Sequence, residues 1–163
     1  MVSLQQQLNK LTRQLEKTVS NLVTREDMRD VANLAIELIV SRTRAGKGVK
    51  RPGGNTSKLA ALSDEYIEFR RRNRARLSPT TRFDKSNLTF SGQLLSSIQV
   101  IKVSKIKNRQ VAIIGAKPNR RDDGTTNTQV AEWVQRVRPF FFLSKGEATK
   151  VSAELAKRIK SKT

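Results

Sequence analysis

The chain has 163 residues, 33 of them Lys or Arg and 14 Asp or Glu, giving a formal charge of +19 at pH 7 with 36% hydrophobic and 5% aromatic residues. That length supports one modest core and is too short for two well-filled ones, while the charge favours polyanionic partners, either nucleic acid or an acidic protein surface. There is no His and no Cys, which removes the commonest general base, the best neutral-pH nucleophile and the usual nitrogen and sulfur metal ligands, so no enzymatic activity, metal or cofactor is expected. The positive charge is spread along the chain: +6 over residues 1–62, +3 over 63–85, +6 over 86–138 and +4 over 139–163. No apolar run approaches the roughly 20 residues that span a bilayer, and Met1 to Gln7 lacks the basic-then-apolar pattern of a signal peptide. The expectation is a chain that stays in the cytoplasm where it is made and has no membrane partner.

Leu4, Leu8, Leu11, Leu15 and Leu22 recur at spacings of three, four and seven, which predicts a long amphipathic N-terminal helix over 1–23. Its alternate seam breaks at Thr18 and Arg25, and Gln7, Gln14 and Asn21 stand where charges would direct coiled-coil pairing. The helix is therefore expected to lie on its own domain or to reach a neighbouring subunit as an arm, with Leu4, Leu8, Leu11 and Leu15 as candidate subunit-interface residues. Thr24-Arg25-Glu26-Asp27 is a capping start for a second helix to about Arg44. Met28, Val31, Ala32, Ala35, Leu38 and Ile39 form its buried stripe.

Residues 44–58 combine four glycines and a proline with Arg44, Lys47, Lys50 and Arg51 and show no apolar period, which predicts an exposed, mobile basic loop. We take those four cations as candidate contacts to DNA or an acidic partner that would order the loop. The Gly-Lys content does not have the spacing of a phosphate-binding nucleotide loop. Ser63-Asp64-Glu65 caps a short helix running through Tyr66, Ile67 and Phe69 into Arg70, Arg71, Arg72, Arg74 and Arg76. An arginine run on a helix must point some guanidinium groups outward, where the planar fork can grip phosphate or carboxylate, so these five join the candidate contacts. Leu77-Ser78-Pro79 ends the helix.

Ser91 to Ile98 is expected to form a short helix with Leu94, Leu95 and Ile98 inward. The β-branched runs 99–103 and 110–115 read as an antiparallel hairpin. A polar loop follows over 116–127, and Val130, Trp133, Val134 and Val137 predict a core helix over 129–137. Residues 138–143 read as a strand or extended core, and Ser144-Lys145-Gly146-Glu147 fits a capping box for a last helix with Val151, Leu155 and Ile159 inward. The adjacent pairs Asp64-Glu65 and Asp122-Asp123 read as caps and loop acceptors rather than acid/base dyads. The fold class is thus α+β: a small antiparallel β-sheet with helices packed on it over 24–163, plus the N-terminal helix.

Leu62-Ser63 with Tyr66, then Ser91-Gly92-Gln93-Leu94-Leu95-Ser96-Ser97-Ile98 leading into a hairpin, then Arg138-Pro139-Phe140 before a C-terminal helix, form an ordered series. In that order the chain resembles the tail-completion and neck proteins that join head to tail in tailed bacteriophages, over roughly residues 28 to 160. The resemblance implies a non-catalytic virion protein, a subunit of a homo-oligomeric ring between the portal with its adaptor or head-closure protein and the tail terminator or tube. Double-stranded DNA would pass through that ring, which gives the basic surface a role. The Trp133 helix departs from the family pattern, which commonly has a Gly- or aromatic-containing segment there, and residues 1–23 have no counterpart. The alternative is a basic nucleic-acid-binding protein without catalytic activity, although its aromatics cluster in an apolar Phe run and are not interleaved with basic residues as stacking platforms.

Overall fold

The computed structural model describes residues 22–77, 86, 88, 92–107, 109–119, 121 and 123–162, with Asn9, Thr12, Gln14 and Thr18. Those four early residues have helical backbone, whereas Leu4, Leu8, Leu11 and Leu15 lie outside the described residues. The described elements are α1 (Arg25–Arg44), β1 (Lys47–Val49), β2 (Thr56–Lys58), α2 (Asp64–Arg72), a 3-10 turn at Arg74–Arg76, α3 (Gln93–Ser96), β3 (Ile98–Ile106), β4 (Arg109–Ala116), α4 (Asn127–Val137) and α5 (Lys145–Lys160). The fold is α+β, and among the described residues the strands form two antiparallel two-stranded sheets, β1–β2 and β3–β4.

Each long helix begins on a side chain that satisfies backbone N–H groups left over in its first turn. Thr24 with Asp27, Thr126 with Gln129 and Ser144 with Glu147 form reciprocal capping boxes, and the Ser63 hydroxyl accepts from the Tyr66 N–H. In β3–β4, Val100 pairs with Ile114 but Lys102 pairs with Ile113, so Ile101 is an extra, bulged residue. The bulge resets the alternation, which returns Val103 to the inner face at 2% exposure. Lys107, at φ +54°, supplies the left-handed conformation that this tight hairpin turn requires.

The core joins distant segments. Ile39 of α1, Leu94 and Leu95 of α3, Ile98 of β3 and Phe140 form one buried cluster, with Ile36, Val40, Leu88, Ile114, Val130, Ala131, Val134, Phe141 and Leu143 packed around it. Two of the segments quoted above, 92–98 and 138–143, therefore meet in a single apolar contact.

Helices α1 and α5 run antiparallel and are joined by ion pairs of matched polarity. Asp27 and Asp30, at the start of α1, meet Lys162 and Arg158 at the end of α5, and Arg42 near the end of α1 meets Glu147 at the start of α5. The spans 27–42 and 147–162 are equal in residues, and Lys162 lies just past the end of α5. Acids sit at helix starts and bases at helix ends, so each pair also opposes the helix macrodipoles favourably.

The Lys162 ammonium, then the Thr24 hydroxyl and N–H, hold the Asp27 carboxyl at about 2, from an ordinary value of 3.8. A carboxylate depressed in the folded state contributes stability that is complete above about pH 4 and is lost as pH falls through about 2. Asp27→Asn is therefore expected to lower stability at pH 7 by on the order of 1–2 kcal/mol, allowing for solvent screening of the pair, and to change it little at pH 2. Urea unfolding of both proteins at the two pH values checks this.

Two expectations are corrected by the packing. Residues 44–58 do not form a mobile loop: Arg44 ends α1, and β1 and β2 pair in a hairpin with Val49 fully buried. Helix α4 is rotated from its apolar stripe, because Val130, Ala131, Val134 and Gln135 face the core while Trp133 is 52% and Val137 63% exposed. The physical reason is Gln135, whose side-chain oxygen accepts the N–H groups of both Phe140 and Phe141 at 3.0 Å. Ala131 on the same side admits a close approach.

Candidate functional site

The candidate site is a basic surface held on the Phe140 core. Around β1–β2, Arg44, Lys47, Lys50, Arg51 and Lys58 are all exposed. They are held there by backbone hydrogen bonds to the segment that begins at Arg138. The Val49 N–H donates to the Pro139 carbonyl at 3.0 Å, the Gly53 N–H to Leu143 at 3.0 Å, and the Lys145 N–H to Gly54 at 3.1 Å. Gly48 lies so near that segment that a Cβ there would stand 2.1 Å from the Pro139 oxygen and 2.6 Å from Leu59 Cδ2. Glycine at 48 thus serves close backbone approach, and backbone hydrogen bonds to its own chain hold the hairpin.

Arg138 grips the next stretch. Its Nε and Nη2 donate to the carbonyls of Ala60 and Ala61 at 3.3 and 3.2 Å, fixing the extended residues that lead from β2 to α2. The arginines of α2 then divide. Arg70 is 2% exposed, with its guanidinium 5.1 Å from the Tyr66 ring centroid, so it is a packing cation rather than an outward contact. Arg71 and Arg72 face solvent beside Glu68 at 3.5 and 3.6 Å, and Arg74 and Arg76 are exposed on the 3-10 turn.

Tyr66 and Phe69 are 38% and 46% exposed and stack with centroids 5.9 Å apart and planes 16° from parallel. This corrects the expectation that no aromatics mingle with basic residues. The helical spacing of 66 and 69 beside the arginine run could have shown it.

Sequence reasoning also missed Arg42, which is 7% exposed and donates from one guanidinium nitrogen to Glu147 and from another to the Phe140 carbonyl. Burial pushes its pKa down, and the Glu147 carboxylate opposes that shift. Glu147 in turn accepts the Ser144 N–H at 2.7 Å, so one carboxylate caps α5 and neutralises a buried cation.

The carboxylate pairs behave as loop and cap groups where they are described. Asp123 accepts the Thr125 N–H and hydroxyl at 3.0 and 2.6 Å, which lowers its pKa, and Asp64 lies in the first turn of α2 behind the Ser63 cap. Among the described residues no group of three or more Asp, Glu, His or Cys is placed to hold a metal ion, and no helix is long and apolar enough to cross a membrane. The described surface offers exposed cations, apolar patches and an aromatic pair. No protein-family model, curated protein or solved structure matches the chain.

Proposed function

We propose that this chain is a structural virion protein, a ring-forming subunit of the bacteriophage neck that completes the tail or joins it to the head around the DNA channel. The observation that supports this reading is the union of the Gly92–Ile98 and Arg138–Leu143 segments in one core, with the basic hairpin fixed to that core by Pro139 and Leu143. In this reading the two segments are the frame, and the hairpin carries Lys47, Lys50 and Arg51 on a rigid support. A rigid cation costs less ordering entropy on meeting a phosphate than a mobile one. The portal or head-closure protein and the tail terminator or tube protein are the neighbours on either side.

The test is the triple variant Lys47→Gln/Lys50→Gln/Arg51→Gln. If all three cations meet duplex DNA, the slope of log affinity against log salt falls by about 2–3, with the oligomer intact. If they meet an acidic protein surface instead, DNA binding is unchanged and particles accumulate with heads and tails unjoined. Normal DNA binding together with a full yield of infectious particles would sink the assignment of the hairpin. Joined particles in the complete absence of the protein would sink the neck reading itself.

The Tyr66–Phe69 stack beside Arg71 and Arg72 favours a second reading, a nucleic-acid-binding protein without catalytic activity. Exposed aromatic rings stack on unpaired bases, so this reading expects single strands to bind more tightly than duplex, with the preference lost in Tyr66→Ala/Phe69→Ala.

A further inference from the structure

The outer face of β3–β4 is apolar where a solvated sheet face would be polar. The pairs Ile98 with Ala116, Val100 with Ile114 and Val103 with Ala112 share the inner face. Beyond the bulge, Ile101 and Lys102 both stand outward. Ile101 lies across Gly115, where a Cβ would come within 3.1 Å of its Cγ1. Ile101, Ile106 and Ile113 are 48%, 54% and 48% exposed. Strands with apolar residues on both faces belong to sheets covered on both faces, and among the described residues these three isoleucines remain about half exposed.

A second exposed apolar patch lies on α4, where Trp133 and Val137 are four residues apart and exposed, with Glu132 exposed beside them. We propose that these two patches cover each other between copies of this chain, the isoleucine face of one copy seating on Trp133 and Val137 of the next. Charge decides against the hairpin face meeting itself. Lys102 stands opposite Ile113 on this face, and residues 98–116 contain no carboxylate, so a two-fold contact would bring Lys102 of one copy toward Lys102 of the other. Helix α4 carries one carboxylate, Glu132, and one guanidinium, Arg136, so it presents an apolar, electrically balanced surface with an acid to answer the hairpin's lysines. Nucleic acid is a poor occupant of the hairpin face, because isoleucines offer no ring for base stacking. A contact between two different patches leaves each pair of copies with one patch of each kind still open, so copies add in one direction and close into a ring where the rotation permits. This deepens the ring reading and rests on it for closure.

The chain has no cysteine, so the contact can be tested with single cysteines at exposed positions. Ile113→Cys and Val137→Cys are prepared separately, mixed and mildly oxidised. The expected result is roughly tenfold more mixed disulfide dimer than either homodimer, as a contact between unlike patches requires. Dominant Ile113→Cys homodimers would overturn the proposal in favour of a two-fold contact, and cross-linking no better than with Ser152→Cys, exposed on α5, would overturn it outright. In a second measurement, Ile101→Lys/Ile113→Lys and Trp133→Lys each lose self-association alone, and their mixture stops at a dimer. Wild-type oligomers that persist in both variants would also overturn it. The neck reading fails separately, if particles lacking the protein still join heads to tails, so the two failures are distinguishable.

Discussion

Replacing Glu147 with Ala is expected to destabilise the fold by about 3–5 kcal/mol, the range for removing one partner of a buried ion pair. The Arg42 and Glu147 side chains are 5% and 11% exposed, so neither is rehydrated when the other is lost unless the helices part. Arginine stays charged across the working pH range, and without Glu147 its remaining acceptor here is the Phe140 carbonyl. The same substitution removes the acceptor of the Ser144 N–H and so uncaps α5, a further effect of about 1 kcal/mol. The double variant Arg42→Met/Glu147→Ala is the control. It removes the stranded charge, and its stability in urea should exceed that of Glu147→Ala alone even though it leaves the Phe140 carbonyl short of a donor. A double variant less stable than the single one would mean that Arg42 acts by its other bonds and that the charge pair is secondary.

Short-range signals told most of the fold. Thr24, Ser63 and Ser144 cap helices where hydroxyl and carboxylate spacing placed them, and the β-branched runs gave the β3–β4 hairpin to within a few residues at each end. What escaped depends on contacts between residues far apart in the chain. Residues 47–58 are rich in Gly and Lys, and Val49 is the one apolar side chain in either of their three-residue strands, so nothing local announces a hairpin. Its order comes from backbone partners about 90 residues away, at Pro139, Leu143 and Lys145. Helix α4 carries four apolar residues at helical spacing, yet its rotation is decided by an amide, Gln135, that has two N–H groups to satisfy. Charge was misread for a related reason. Within an arginine-rich surface nothing in the sequence marks Arg42 or Arg70 as buried, because the features that bury them, Glu147 and the Phe140 carbonyl in one case and the Tyr66 ring in the other, are supplied by folding. The candidate contacts Arg44, Lys47, Lys50, Arg51, Arg71, Arg72, Arg74 and Arg76 were legible as solvent-facing cations, and Arg70 was not.

Phe140→Ala is expected to cost about 3–5 kcal/mol, and its effect should reach the basic hairpin. Phe140 is 0% exposed and touches the cluster of Ile39, Leu94, Leu95 and Ile98, with the Phe141 ring edge-on at 5.7 Å between centroids and 86° between planes. Truncation leaves a ring-sized void among side chains drawn from α1, α3 and β3, and these cannot collapse together without moving the helices. The backbone around Phe140 is the anchor of three other features: its N–H is held by Gln135, its carbonyl by Arg42, and the carbonyl before it by Val49. Once the ring no longer fixes that strand, the Val49 N–H should lose hydrogen-exchange protection along with the core, while Ala148, whose N–H bonds within the first turn of α5 to Ser144, is affected less. Phe142→Ala is the comparison, because Phe142 is partly exposed and lies outside the cluster; it should cost clearly less than Phe140→Ala. Equal losses in the two variants would show that the Phe run is a generic apolar stretch. A large loss confined to Phe140, with Val49 deprotected, would establish this residue as the link through which the core holds the basic hairpin in place.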